Sequence, residues 1–190
     1  MRKLIAAVMI MFMGTTAFSQ IDIDLGIKAG INFSNIRDLD ALNLQYKKGL
    51  QAGVFVGINF SEKFGVQADL LYSEQGATIT KANGRFDLTY INLPIVFKYY
   101  LVEGEGLSFQ IGPQFGYLID SDLRAVYQGV GITAEANDLD ISGVAGFGYE
   151  FLDGFQVEGR IHLGFTDITD DPRARGTHKF ASVVLGYSFL

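Results

Sequence analysis

The sequence predicts an all-β protein: an eight-stranded, antiparallel, up-and-down transmembrane β-barrel preceded by a cleaved signal peptide. Three observations predict it. Eight segments of about 10–13 residues alternate apolar and polar residues with a period of two. The connections between these segments are alternately short and long. Beyond the N-terminal leader, no stretch approaches the roughly 20 unbroken apolar residues of a membrane helix. A chain that spans lipid without helices must close its strands into a barrel.

The leader is MRKLIAAVMIMFMGTTAFSQ, with Arg2 and Lys3, an apolar run from Leu4 to Met13, and small residues before Gln20. Ala17-Phe18-Ser19 fits the small-x-small rule of signal peptidase, so residues 1–19 are expected to be removed and 20–190 to form the barrel domain. The competing reading is an N-terminal core helix. The 190-residue chain carries a formal net charge of −6, which becomes −8 once Arg2 and Lys3 are lost. That balance argues against nucleic acid as a partner, because such affinity rests on clustered Lys and Arg. With no Cys and only two His, disulfides, thiolate metal sites and a thiol nucleophile are excluded.

The first segment, DLGIKAGINFS (24–34), puts Leu25, Ile27, Ala29, Ile31 and Phe33 on one face. The second, GLQAGVFVGINF (49–60), does so with Leu50, Ala52, Val54, Val56, Ile58 and Phe60. The third, GVQADLLYSEQ (65–75), offers Val66, Ala68, Leu70 and Tyr72. In the fourth, LTYINLPIVFKYYL (88–101), the apolar face is Ile91, Leu93, Ile95, Phe97, Tyr99 and Leu101. The fifth, LSFQIGPQFGYLI (107–119), and the sixth, LDISGVAGFGYEF (139–151), continue the pattern at odd positions. So do the seventh, FQVEGRIHLGF (155–165), and the eighth, HKFASVVLGYSFL (178–190). Soluble strands average about 5–6 residues, whereas a tilted membrane strand needs about 9–11.

The short links are SEKF, VEGEG and LDG; the long ones are NIRDLDALNLQYKK, ATITKANGRFD, DSDLRAVYQGVGITAEAND and DITDDPRARGT. Tight periplasmic turns and longer outer loops are the pattern of outer-membrane barrels. With an even strand number, both termini then face the periplasm.

The opposite faces carry the polar groups. A lumen network is expected from Asp24, Lys28, Asp69, Lys98, Glu150, Glu158, Arg160 and His162, because buried charges must be paired. Asn32, Gln51, Asn59, Gln67, Asn92, Gln110, Gln114 and Gln156 share these faces, with many glycines between them. Gly weakens a strand, yet a narrow eight-stranded interior needs small residues beside large ones. Aromatics gather near strand ends: Phe60, Phe64, Tyr99, Phe109, Phe151, Phe155, Tyr187 and Phe189 towards the short turns, and Phe33, Tyr72, Tyr90, Tyr117, Phe165 and Phe180 towards the long loops. Two aromatic girdles at the membrane interfaces are the expectation.

The stretches GIKAGINFSNI (26–36), GLQAGVFVGINF (49–60), LLYSEQGA (70–77), YINLPIVFKYYL (90–101), IGPQFGYLI (111–119) and VVLGYSF (183–189) carry a resemblance. On them the chain resembles the PorT-like outer-membrane β-barrel proteins of Bacteroidetes, and in shape the small OmpA and OmpX barrels. The resemblance implies an integral outer-membrane location, lipid contact, and insertion by the barrel assembly machinery. That machinery favours a terminal aromatic; here Phe189 is penultimate and Leu190 last. Some members of the group are linked to a protein secretion system, so an accessory role in secretion, with envelope proteins met through the outer loops, is the alternative to a structural or interaction role.

A third alternative inverts the faces: a soluble, lipocalin-like barrel holding an apolar ligand, with Glu158, Arg160 and His162 in water. Catalysis has little support, as G-x-S-x-G is absent and no cofactor motif occurs. The acidic stretches 120–122, 137–140 and 167–171 offer oxygen ligands for calcium but lack the EF-hand pattern, and solvated loop charge is the simpler reading. Arg173 and Arg175 could meet lipopolysaccharide phosphates, against the same plain reading.

Overall fold

A computed structural model of the chain describes residues 22–36, 44–79, 84–102, 106–127, 130–132, 138–151, 154–167 and 177–190. The leader, with its expected cleavage site, and Arg173 and Arg175 lie outside these residues. The strands are β1 (Asp22–Ile36), β2 (Leu44–Ser61), β3 (Phe64–Ile79), β4 (Gly84–Tyr100), β5 (Leu107–Tyr127), β6 (Val130–Ile132), β7 (Leu139–Phe151), β8 (Phe155–Asp167) and β9 (Thr177–Ser188).

All pairings are antiparallel. The order β4-β3-β2-β1-β9-β8-β7-β5 closes on itself through β4–β5, so eight strands form a ring without free edges. The three-residue β6 pairs with β5 alone, extending one hairpin beyond the ring. The turns are tight at one end: Glu62 and Lys63 link β2 to β3, and Gly106 (φ +62°) and Gly154 (φ +104°) supply left-handed conformations that other residues rarely adopt.

Several strands outrun their alternating segments. β1 continues to Ile36, β2 begins at Leu44, β3 runs to Ile79 and pairs there with Gly84 at the start of β4, and β5 runs 21 residues to Tyr127. Stretches expected to be loop are therefore partly ladder. Backbone pairing asks only for a facing strand, whereas alternation marks where a wall is apolar; the two need not stop at the same residue.

Residue parity decides the faces. The outer wall is apolar: Leu50 is 63% exposed, Phe147 57%, Leu185 62% and Phe165 72%. Inward residues are sealed, with Lys28, Asp69, Lys98, Glu158, Arg160 and His162 all 3% exposed or less. Val96, Val144, Val184, Leu71, Leu88 and Phe55 fill space among them. A lipocalin-like barrel would carry these faces the other way round, so that alternative is set aside. Glycine also permits close approach within the wall: a Cβ on Gly53 would lie 1.9 Å from the carbonyl oxygen of Leu70.

Candidate functional site: a polar lumen

Because i and i+2 point the same way on a strand, Glu158 and Arg160 enter the lumen together from β8, as Gln67 and Asp69 do from β3. In the ring, β3 and β8 stand four places apart, on opposite sides. Arg160 spans that diameter: its Nη1 donates to Asp69 Oδ2 at 2.5 Å and its Nε to Gln110 Oε1 at 2.8 Å. Lys28, from β1, donates to Glu158 Oε2 at 2.7 Å and to Asp69 Oδ1 at 3.1 Å. Arg160 Nη2 lies 3.1 Å from Glu158 Oε2. Two neutral amides complete the set: Gln67 donates to Asp69 Oδ1 at 2.8 Å and Glu158 Oε1 at 3.2 Å, and Gln110 to Glu158 Oε1 at 3.2 Å. Two cations thus face two carboxylates, so the cluster is neutral, as a water-excluded site requires.

A second group sits nearer the turns. Lys98 pairs with Glu150 and donates to Gln67 at 3.4 Å, which ties it to the central cluster. The hydroxyl of Tyr100 is 3.0 Å from Glu150 Oε1 and 3.1 Å from Asn59 Oδ1. Asp24 takes a hydrogen bond from Asn59 Nδ2 at 2.9 Å, so it joins through neutral groups rather than by touching a lumen cation. A cavity of about 160 Å³ opens beside these residues, lined by Asp24, Phe55, Glu150, Gln156 and Ser188.

His162 stands apart from the ion pairs. Its Nε2 is 3.1 Å from Ser182 Oγ, and its ring stacks on Phe180 at 3.9 Å between centroids. Around it, towards the loops, the inward groups are neutral: Asn32 donates to Ser73 at 3.0 Å and Gln114 to Ser142 at 3.2 Å. At the loop end Asp140 accepts from Thr166 Oγ1 at 3.0 Å, and Lys47 pairs with Asp87 at 2.5 Å. Of the acidic stretches, 137–140 therefore sends Asp140 inward, and most of 167–171 lies outside the described residues. Among the described residues no group of three acidic, His or Cys side chains is placed to hold a metal.

Tyr90 and Phe180 need correction as girdle residues. Tyr90 is 2% and Phe180 3% exposed, and both point into the lumen. Their neighbours Ile91 and Ala181 face outward, so Tyr90 and Phe180 have the inward parity. Position near a strand end suggested the rim, but parity sets the face. At the turn end, Tyr149, Phe151, Phe155, Tyr187 and Phe189 form a continuous row of rings with centroids 4.8–6.2 Å apart, and Phe64 meets Tyr99 at 5.4 Å. Phe60 and Phe109 are half-buried there, with Phe109 edge-on to Phe147 at 5.5 Å. At the loop end Tyr72, Tyr117 and Phe165 are exposed and Phe33 is half-buried. Phe55 and Tyr100 are lumen residues that sequence reasoning passed over; the inward, odd-numbered face of β2 was blurred by Gly53 and Gly57, and aromatic character masked Tyr100.

Residues 18–170 match the family model described as an outer membrane protein beta-barrel domain. No curated protein matches the sequence. Among solved structures the fold is similar to Ail, the attachment invasion locus protein of Yersinia pestis, with a TM-score of 0.51 at 14% identity, over 87% of this chain and 96% of that one. It is equally similar to neisserial surface protein A, with a TM-score of 0.51 at 10% identity, over 90% of this chain and all of that one (100%). Identities this low speak for the fold alone. With its closed ring of eight strands, apolar wall and family match over most of its length, the chain belongs to the outer membrane protein beta-barrel domain family and is an outer-membrane barrel.

Proposed function

We propose that the protein is a closed, non-catalytic barrel with a structural or interaction role, its lumen plugged by the polar network and its long loops meeting partners at the cell surface. The observation that carries this reading is the ion cluster across the ring diameter, from Arg160 on β8 to Asp69 on β3. Eight strands leave room for side chains and little else, and here that room is taken by paired charges. The remaining surface for a specific activity is the set of loops.

In this reading the tight turns and both termini are periplasmic, and the two rows of aromatics form the interfacial girdles. The quoted stretches ally the chain with the PorT-like group of Bacteroidetes, which keeps an accessory part in protein secretion as the alternative role. The barrel assembly machinery is the partner expected during insertion. Fractionation, followed by gels of boiled and unboiled detergent extracts, tests the proposal. A heat-shifted band in the outer membrane, with no ion conductance in planar bilayers, is the expected result; steady conductance would refute the plugged lumen.

A further inference from the structure

The outward column of each strand is apolar until it nears the loops. On β2 it runs from Phe60 through Ile58, Val56, Val54 and Ala52 to Leu50, and the next outward residue is Lys48. On β9 it runs from Tyr187 to Ala181, and the next is Lys179. Between them lies β1, where Phe33 pairs with Lys48 and Asn35 with Lys179. Among the described side chains these two lysines are the cations that face outward from the strands. Lys28, Lys98 and Arg160 point inward and hold acidic partners, and Lys63 sits in a turn at the far end. Lys48 and Lys179 are exposed, and neither forms an ion pair among the described side chains.

We propose that Lys48 and Lys179 form a binding rim for the phosphate of an anionic lipid headgroup in the loop-side leaflet. The apolar columns below them would take the acyl chains. Long Lys stems keep their ammonium groups at a membrane border while the methylenes lie on apolar surface. The Lys48 ammonium already stands 6.0 Å from the centre of the Phe33 ring, at the last apolar position of β1. β1 separates the two lysines and their partners on it, Phe33 and Asn35, are two residues apart, so two strand spacings and two residue rises put them about 12 Å apart, and one headgroup between them is within reach of both long side chains. Glu74 on β3 accepts the Leu50 N–H at 3.4 Å, on the far side of Lys48 from β1. The anion's seat is therefore over β1. Each basic residue close to an anionic surface adds appreciably to attraction, and two together give a preference of at least about tenfold for charged over zwitterionic lipid.

This inference rests on the lipid-covered wall, and its test separates the two. The full chain is refolded into phosphatidylcholine vesicles with and without phosphatidic acid, and loss of the folded gel band is followed with temperature. The wild type should melt higher with phosphatidic acid. The double variant Lys48→Gln/Lys179→Gln should keep its folded band in phosphatidylcholine and lose most of that upward shift, and Lys48→Arg/Lys179→Arg should keep it. A full shift in the Gln variant would overturn the rim. So would an equal loss in Lys63→Gln, which would mean diffuse surface potential instead of a site. Absence of any folded band in phosphatidylcholine would sink the barrel reading itself.

Discussion

The two halves of the lumen are held in different ways. Towards the turns, charged groups cross the barrel: Arg160 to Asp69 joins opposite strands, and Lys28 ties both carboxylates to β1. Towards the loops, inside the partly exposed Lys47–Asp87 pair at the rim, neutral groups link strands that are close in the ring: Gln114 to Ser142, His162 to Ser182, Asn32 to Ser73. Buried polar atoms without a hydrogen bond occur in both halves: Asn32 Oδ1, Gln114 Oε1 and His162 Nδ1 in this one, and in the charged half Arg160 Nη2, which has only its ion pair with Glu158. The difference teaches where stability resides. A long-range link between charges constrains the whole ring, and losing one member strands its partners in a water-poor interior. A short link between neutral neighbours duplicates what the strand ladder already secures.

The largest effect should follow Arg160→Leu, which leaves Asp69 and Glu158 with Lys28 alone. Urea unfolding in detergent should show a loss of about 3–5 kcal/mol. A cycle with Asp69→Leu should give a coupling above about 1 kcal/mol, since the double variant buries no stranded charge at that contact. Next comes Gly53→Val, whose Cβ would meet the Leu70 carbonyl; overpacking should cost about 1–3 kcal/mol and slow refolding into vesicles. Lys98→Met is milder, about 1–2 kcal/mol, because the Glu150 side chain is one-third (33%) exposed and water can replace the lysine. The smallest loss, below about 1 kcal/mol, is expected for His162→Phe, which keeps a ring against Phe180 and gives up one neutral hydrogen bond. If His162→Phe cost as much as Arg160→Leu, the two halves would not differ as described.

Much of this was legible because the pleat has period two. The alternation of FQVEGRIHLGF alone places Ile161 outside and Arg160 inside, and the structure exposes Ile161 (53%) and buries Arg160 (3%). What alternation does not encode is which inward groups meet. That depends on the stagger around the ring, and so Asp24, on the right face, bonds Asn59 while His162 bonds Ser182. Tyr90 and Phe180 went astray because distance along a strand was weighed above parity. The end of β5 was not legible either: LRAVY has no sustained alternation, and its pairing with β6 comes from the facing backbone.

The most direct test of the central claim uses the absence of cysteine from the chain. A single Cys placed at Ile161 on the wall, or at Ser142 in the lumen, can carry an environment-sensitive fluorophore in barrels refolded into vesicles. Nitroxide-labelled lipids should quench the probe at 161 strongly and leave the probe at 142 nearly untouched. Strong quenching at 142 with none at 161 would mean that the apolar faces do not meet lipid, and the account would fail.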